Sequence, residues 1–130
     1  MKKVGVASLK KVADKYFSKY VRLRDSQDGY GNCITCGRNY HYKQAQAGHF
    51  VSRRCNLLRY DEQNVNLQCF ACNVMEHGDQ YNYAKQLDLK YGNGTAEKLH
   101  SQRSISHKLT IPELEQIISH AKEYIKEMEA

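Results

Sequence analysis

The 130-residue chain has no tryptophan, one proline, and no apolar run approaching the ~18 residues of a membrane span. It has no low-complexity segment and no repeat apart from one doubled cysteine motif. No secretory leader is expected either. Met1-Lys2-Lys3 is basic, but the run from Val4 to Leu9 is short and ends at Lys10-Lys11. These absences exclude a membrane protein and point to a reducing cytoplasm. Acidic residues are scarce in the first half: residues 1–60 hold thirteen Lys/Arg against three Asp/Glu, and residues 61–130 hold seven against eleven. A net charge near +10 followed by one near −4 suggests a polyanion partner for the first half, although a solvated charged face would give the same count.

Tyrosine supplies most of the aromatic content, ten against three phenylalanines, and suits both a small core and a polar surface. The length allows one domain with a modest core. Residues 1–7 read as a loose leader. From Leu9, apolar residues recur at helical steps (Val12, Ala13, Tyr16, Phe17, Tyr20, Leu23), with Ser8 as a plausible N-cap. Lys15, Lys19 and Arg22 lie on the remaining face, either as DNA-backbone contacts or as ordinary solvated charges. The turn cluster at Asp28–Asn32 ends this helix. A short strand is expected into Gly48-His49, a second at Val65 to Leu67, a helix over roughly 73–77, and further helices over 81–91 and 95–103. Thr110-Ile111-Pro112-Glu113 is a capping box with the single proline in the first turn. Ile111, Leu114, Ile118, Ala121, Ile125 and Met128 follow it in a heptad seam that fits either intramolecular packing or a homodimer. The expected organisation is a leader (1–7), a helix plus a core that holds both cysteine pairs (8–92), and a C-terminal helical segment (93–130).

Five cysteines are present, four of them in two Cys-x-x-Cys pairs, Cys33/Cys36 and Cys69/Cys72. In a reducing compartment such pairs mean metal or redox chemistry. Four thiolates in two matched pairs suit a structural Zn²⁺, and neither pair has the βαβ setting of a redox motif. The 32 residues between the pairs must hold structure of their own, and a β-hairpin carrying His49 fits. Cys55 is left over as a free thiol. His41 could replace a cysteine ligand, but the four need no help.

Gly48-His49, followed by Asn64-x4-Cys69-x2-Cys72-Asn73, resembles the HNH, or ββα-metal, nuclease signature. A closer resemblance is to the NinG/Rap family of lambdoid-phage recombination nucleases. It rests on Cys33-Ile34-Thr35-Cys36-Gly37, Ala47-Gly48-His49-Phe50, Leu58 to Asn64, Gln68-Cys69-x2-Cys72-Asn73, and Leu109-Thr110-Ile111. Longer family members carry an additional cysteine-bearing, charged N-terminal region that these 130 residues lack. The resemblance implies an α+β fold: a zinc-stapled ββα core, an N-terminal basic helix and C-terminal helices. It also implies a structure-selective endonuclease for branched DNA, located in the bacterial host cytoplasm if phage-encoded.

Cutting a phosphodiester needs a water in line, a base for its proton, and charge stabilisation at phosphorus and the leaving oxygen. His49, near its free pKa of ~6.5, suits the base. Asn73 would hold a divalent Mg²⁺ or Mn²⁺, and Asn64 would tie down the loop that aims His49. Many HNH enzymes carry a metal ligand just before the base histidine, where this chain has Gly48. On a continuous helix His77 would face the same way as Asn73, which makes it the candidate second ligand. Asp61, Glu62 and Asp79 are lesser candidates. Arg53, Arg54 and Arg59 in the loop after His49 are candidate phosphate clamps. No membrane and no small-molecule cofactor is implied. Two competing readings are a non-catalytic zinc module that binds nucleic acid, and a recombination adaptor working through its acidic C-terminal helix.

Overall fold

Nineteen residues, Val6–Arg24, form α1, which buries Ala13, Phe17, Tyr20, Val21 and Leu23 on one side. The computed structural model describes residues 5–129. Of the expected leader, residues 1–4 therefore lie outside the described residues. Gly5 rather than Ser8 occupies the N-cap, so the helix begins a turn earlier than its apolar spacing suggests. Extended backbone at Gly5 leads into it, with Leu9 N–H closing the first turn on the Gly5 carbonyl at 3.1 Å.

The turn cluster after α1 is a hairpin. Strands β1 (Ser26–Gln27) and β2 (Tyr30–Asn32) pair antiparallel across Asp28 and Gly29, both at positive φ. That is the backbone a two-residue hairpin turn requires. β2 pairs in turn with β3 (Asn39–His41), and the first cysteine pair lies in the connection between them. A second, two-stranded sheet joins β4 (Gln46–His49) to β5 (Val65–Gln68), with His49 opposite Val65 and Gly48 opposite Asn66. Alternation of apolar and polar residues in β5 ordinarily marks one wet face. Here all four residues are buried, so Asn66 and Gln68 must find partners inside.

The helix expected after the second cysteine pair is a single wide turn. Ala71–Met75 is π-helical, and Glu76 N–H reaches back to the Ala71 carbonyl at 2.9 Å. His77, Gly78 and Asp79 then follow in left-handed conformation at φ 50°, 90° and 49°. Two of those three are not glycine, and they turn the chain sharply into α2 (Gln80–Tyr91). α3 (Thr95–Ser101) and α4 (Ile111–Glu129) complete the order.

The capping box at the start of α4 forms: Glu113 N–H donates to Thr110 Oγ1 at 3.3 Å. Leu114, Ile118, Ala121 and Ile125 of the heptad seam are buried within the chain, while Ile111 and Met128 at its ends are exposed. Leu114 and Ile118 pack against Ala13, Ala121 against Phe17 and Val21, and Ile125 against Leu23. The pattern that suggested a homodimer is therefore a helix pair inside one chain. A separate cluster of Phe50, Leu58, Tyr83, Leu87 and Leu99 fastens the loop after β4 to α2 and α3. Cys55 belongs to it as a buried thiol. No helix among the described residues is long and apolar enough to cross a membrane.

Candidate functional site

The ligand sulfurs of Cys33, Cys36, Cys69 and Cys72 lie within 4.8 Å of one another, with Cys36 and Cys69 3.8 Å apart. Tetrahedral thiolates about 2.3 Å from a zinc ion are separated by roughly 3.8 Å, so spacing and donor chemistry both fit zinc. The backbone supports them. Cys69 N–H points at Cys33 Sγ at 3.3 Å, and Cys72 N–H at Cys69 Sγ at 3.5 Å. Donors of that kind favour the thiolate form. Ile34 N–H bonds the Leu67 carbonyl at 2.9 Å, which joins the first knuckle to β5. His41 lies apart, its Nδ1 accepting from Lys43 N–H and its ring packed on Tyr30 and Tyr42.

His49 closes β4. Its Nε2 lies 2.9 Å from the Arg59 carbonyl. A carbonyl only accepts, so Nε2 carries the proton and Nδ1 is left as the basic atom. Burial pushes the imidazole down to about 4, the Arg53 and Arg59 charges add to this, and the bond to the Arg59 carbonyl works against it. His49 is thus a neutral base well below its free value, rather than one poised at it.

Asn64 is fully buried and holds the loop. Its Oδ1 accepts from Val51 N–H at 2.8 Å, and its Nδ2 donates to the Val51 and Leu58 carbonyls, both at 3.0 Å. Asn64 therefore acts on the path of residues 51–64, and so on the Arg59 carbonyl that fixes His49.

Arg59, expected as a phosphate clamp, has another partner. Its guanidinium forms a two-point pair with Asp14 of α1, at 2.9 and 2.5 Å, and caps the Arg53 carbonyl at 2.8 Å. Tyr60 donates to the same Asp14 at 2.8 Å. Burial raises the Asp14 carboxyl, but Arg59 and Tyr60 more than offset it and hold the group below the usual range. Asp14 is the one acid in α1. A lone carboxylate on an otherwise basic helix is the signal that could have marked it. Lys19 is likewise engaged, with Glu129 at 3.0 Å. Lys15 lies over the Tyr16 ring, and Arg22 donates to the Tyr42 carbonyl at 2.9 Å.

Asn73 sits inside the wide turn, which Phe70 rather than Asn73 caps. Its Nδ2 donates to Gln46 Oε1 at 2.6 Å, which leaves Oδ1 as the acceptor atom of the side chain. His77 does not share a continuous helix with it, because the helical turn ends at Met75. Both nevertheless line one cleft. Asp61 accepts from the Gln63 and Asn64 amides, Glu62 is bonded by Tyr20 and faces Arg24, and Asp79 binds Asn82. None of the three lines the grooves around His49 and Asn73. Among the described residues the cysteine set is the only cluster of three or more His, Cys, Asp or Glu ligands.

Gly48 has a steric reason. A Cβ there would lie 2.0 Å from Gln68 Oε1 and 2.9 Å from Gln68 Cβ. The Gln68 side chain crosses from β5 into the space a residue at 48 would fill, held by Nε2 bonds to the Gly78 carbonyl (2.8 Å) and Thr35 Oγ1 (3.1 Å). Its Oε1 is buried with no hydrogen-bond partner. The Gly48 carbonyl accepts from the buried Tyr83 hydroxyl at 2.5 Å.

Two open grooves meet at this point. One, about 950 Å³, runs between the wide turn and the α3–α4 connection and includes Arg54. The other, about 570 Å³, runs along α1 and includes Arg22 and Arg53. His49 and Asn73 are the two residues common to both. The consecutive arginines thus divide, one to each groove.

The family model described as the bacteriophage lambda NinG protein matches residues 2–130. The protein NinG of Escherichia phage 933W is 27% identical over 119 residues, covering 91% of this chain and 57% of the relative. The NinG protein of Escherichia phage lambda is also 27% identical over 119 residues, with 56% of the relative covered. The chain therefore spans a little over half the length of these curated relatives. No solved structure matches it. With the family model covering all but the first residue, the chain belongs to the NinG family.

Proposed function

We propose that this chain is a metal-dependent, structure-selective DNA endonuclease of the ββα-metal (HNH) type, acting on branched recombination intermediates. One observation carries the reading: His49, with Nδ1 free as a base, and Asn73 stand where two arginine-bearing grooves cross. A polynucleotide lying along both grooves places one phosphate between them. Water then attacks phosphorus in line as His49 Nδ1 takes its proton, and the 3′-oxygen leaves on the opposite side and takes a proton from solvent, giving a 5′-phosphate and a 3′-hydroxyl. Arg54 and Arg53 hold the flanking phosphates.

The donors available to a catalytic ion are Asn73 Oδ1 and the His77 imidazole, with no carboxylate. The amide oxygen would suit a hard Mg²⁺ or Mn²⁺, with water and substrate phosphate supplying its other donors, and the imidazole would be the weaker ligand of the two. When bound, the ion supplies charge stabilisation at the phosphoryl and leaving oxygens. The cysteine-bound zinc takes no part in the chemistry; it fixes both ends of the β4–β5 hairpin. The low basicity of His49 has a use here. The imidazole is neutral across the physiological range, and a bound phosphate beside it offsets the Arg53 and Arg59 charges and raises its affinity for the proton. Because the family is phage-borne, the host cytoplasm is the compartment.

The test is a nicking assay on linear, flapped and four-way DNA, with Mg²⁺ and without it. Cutting that needs the metal, prefers a branch and disappears in His49→Ala supports the reading. Cutting unchanged in His49→Ala, or tight binding with no cutting by zinc-loaded wild type, sinks it and leaves a binding module.

A further inference from the structure

We propose that the cleft between the wide turn and the α3–α4 connection binds an unpaired nucleic-acid strand next to the scissile phosphate. The inference rests on the reading above of the partner as DNA, but not on cutting. Residues 61–130 hold eleven acids against seven basic residues, yet no Asp or Glu lines this cleft among the described residues. The C-terminal half lines the cleft with Arg103 and with His77, His100 and His107, the last bonded to Glu113 at 2.8 Å, and the first half adds Arg54. A lining with two arginines, Arg54 and Arg103, and no carboxylate of its own matches a phosphodiester backbone.

The same wall is apolar in places. Val74 and Ile105 line the cleft while remaining 46% and 51% exposed, and Phe70 and Met75 are exposed on the same turn as Val74. A duplex presents phosphates and sugars to a groove and keeps its base faces stacked. An unpaired strand presents phosphates and base faces together. Cationic groups interleaved with exposed apolar surface match the second. Asn73 lies between Phe70 and Val74 in the turn, so a strand threaded over these residues keeps its next phosphate at the His49–Asn73 crossing.

The experiment measures binding by the zinc-loaded full chain in a His49→Ala background, so that the DNA stays intact. Labelled single-stranded and blunt duplex oligonucleotides of equal length are titrated by fluorescence anisotropy across a salt series. The single strand should bind more tightly than the duplex. Ile105→Ser and Val74→Ser should each weaken single-strand binding by about tenfold, the size of one lost base contact, with little change for duplex. Arg103→Ala should weaken it and lower the salt slope by about 0.7, one phosphate contact on a single strand. Lys98→Ala, an exposed α3 cation that does not line the cleft, is the charge control and should change neither. Equal weakening for single strand and duplex would make the cleft a plain phosphate clamp and overturn the proposal. So would single-strand binding that survives all three wall substitutions. All four side chains are exposed, so thermal melts of the variants should match the parent. The nicking assay fails or succeeds separately from this binding measurement.

Discussion

The β4–β5 hairpin and the α1–α4 helix pair are both buried, but they are held by different forces. The helix pair is an apolar seam of Ala13, Phe17, Val21, Leu114, Ile118 and Ala121. Such contacts scale with area, tolerate repacking and specify position loosely. The hairpin buries Asn64, Asn66 and Gln68 with no exposure at all. Asn66 takes bonds from Lys90 and Tyr91 at 2.8 Å each and donates to the Gln63 carbonyl at 2.9 Å. A polar interior of this kind contributes little net stability and loses much when one partner goes. Its return is positional accuracy in the hairpin that carries His49. The helix pair gives the protein its bulk stability, and the hairpin network gives the site its geometry.

Removing zinc should break the comparison most severely. Chelation frees both ends of the hairpin, and structural zinc sites commonly carry much of their domain's folding free energy. Hydrogen exchange should accelerate first over residues 33–73, with the α1–α4 seam losing protection later. Simultaneous loss would show that the helix pair has no stability of its own. Next in size is His49→Ala, which should cost roughly 10²–10⁴-fold in cutting rate with almost no change in melting temperature. In the wild type the acid limb of the rate in the free protein should fall near pH 4, the His49 value, rather than near 6.5. The stability linkage has the same origin. His49 binds its proton less readily folded than unfolded, so its contribution is complete above the unfolded pKa and is lost as pH falls through about 4. His49→Asn should flatten that part of a pH–melting curve.

Asn64→Ala and Leu114→Ala sharpen the contrast, because their stability costs should be similar. Asn64→Ala strands three buried backbone groups, at about 3 kcal/mol. Leu114→Ala opens a cavity in the seam, at about 2–5 kcal/mol. In urea melts the two should look alike. In single-turnover cutting by the folded fraction, Asn64→Ala should be slow and Leu114→Ala normal. If both cut normally, Asn64 does not aim His49. The smallest effect belongs to Glu129→Gln, at an exposed pair with Lys19, where melts should show no resolvable shift.

The parts of the molecule legible in its sequence are those whose causes are local. The α4 capping box depends on residues three apart, and the helix seam on a repeat visible in one line of text. The cysteine pairs carry their own geometry. Less visible were features set by distant partners. Nothing near Arg59 shows that Asp14, 45 residues earlier, will occupy its guanidinium. The β1–β2 hairpin is too short and polar to show an alternating pattern, although Asp28-Gly29 marks its turn. The alternation in β5 is the pattern of a half-exposed strand, whereas its polar residues bond to α2 and to the turn before it. Arg103 and His100 were hidden by the overall acidity of the half in which they lie.

Gly48 and Gln68 form one unit of change. A side chain does not fit at 48 while the Gln68 side chain stays where it is, and shortening 68 alone leaves a void beside Gly48. A carboxylate just before His49 is thus reachable only through paired substitution, Gly48→Asp together with Gln68→Ser, with each single step worse than either end. That is a sign-epistatic valley. Relatives in the NinG family should fall on one side of it or the other, with the residue at one position foretelling the residue at its neighbour across the strands.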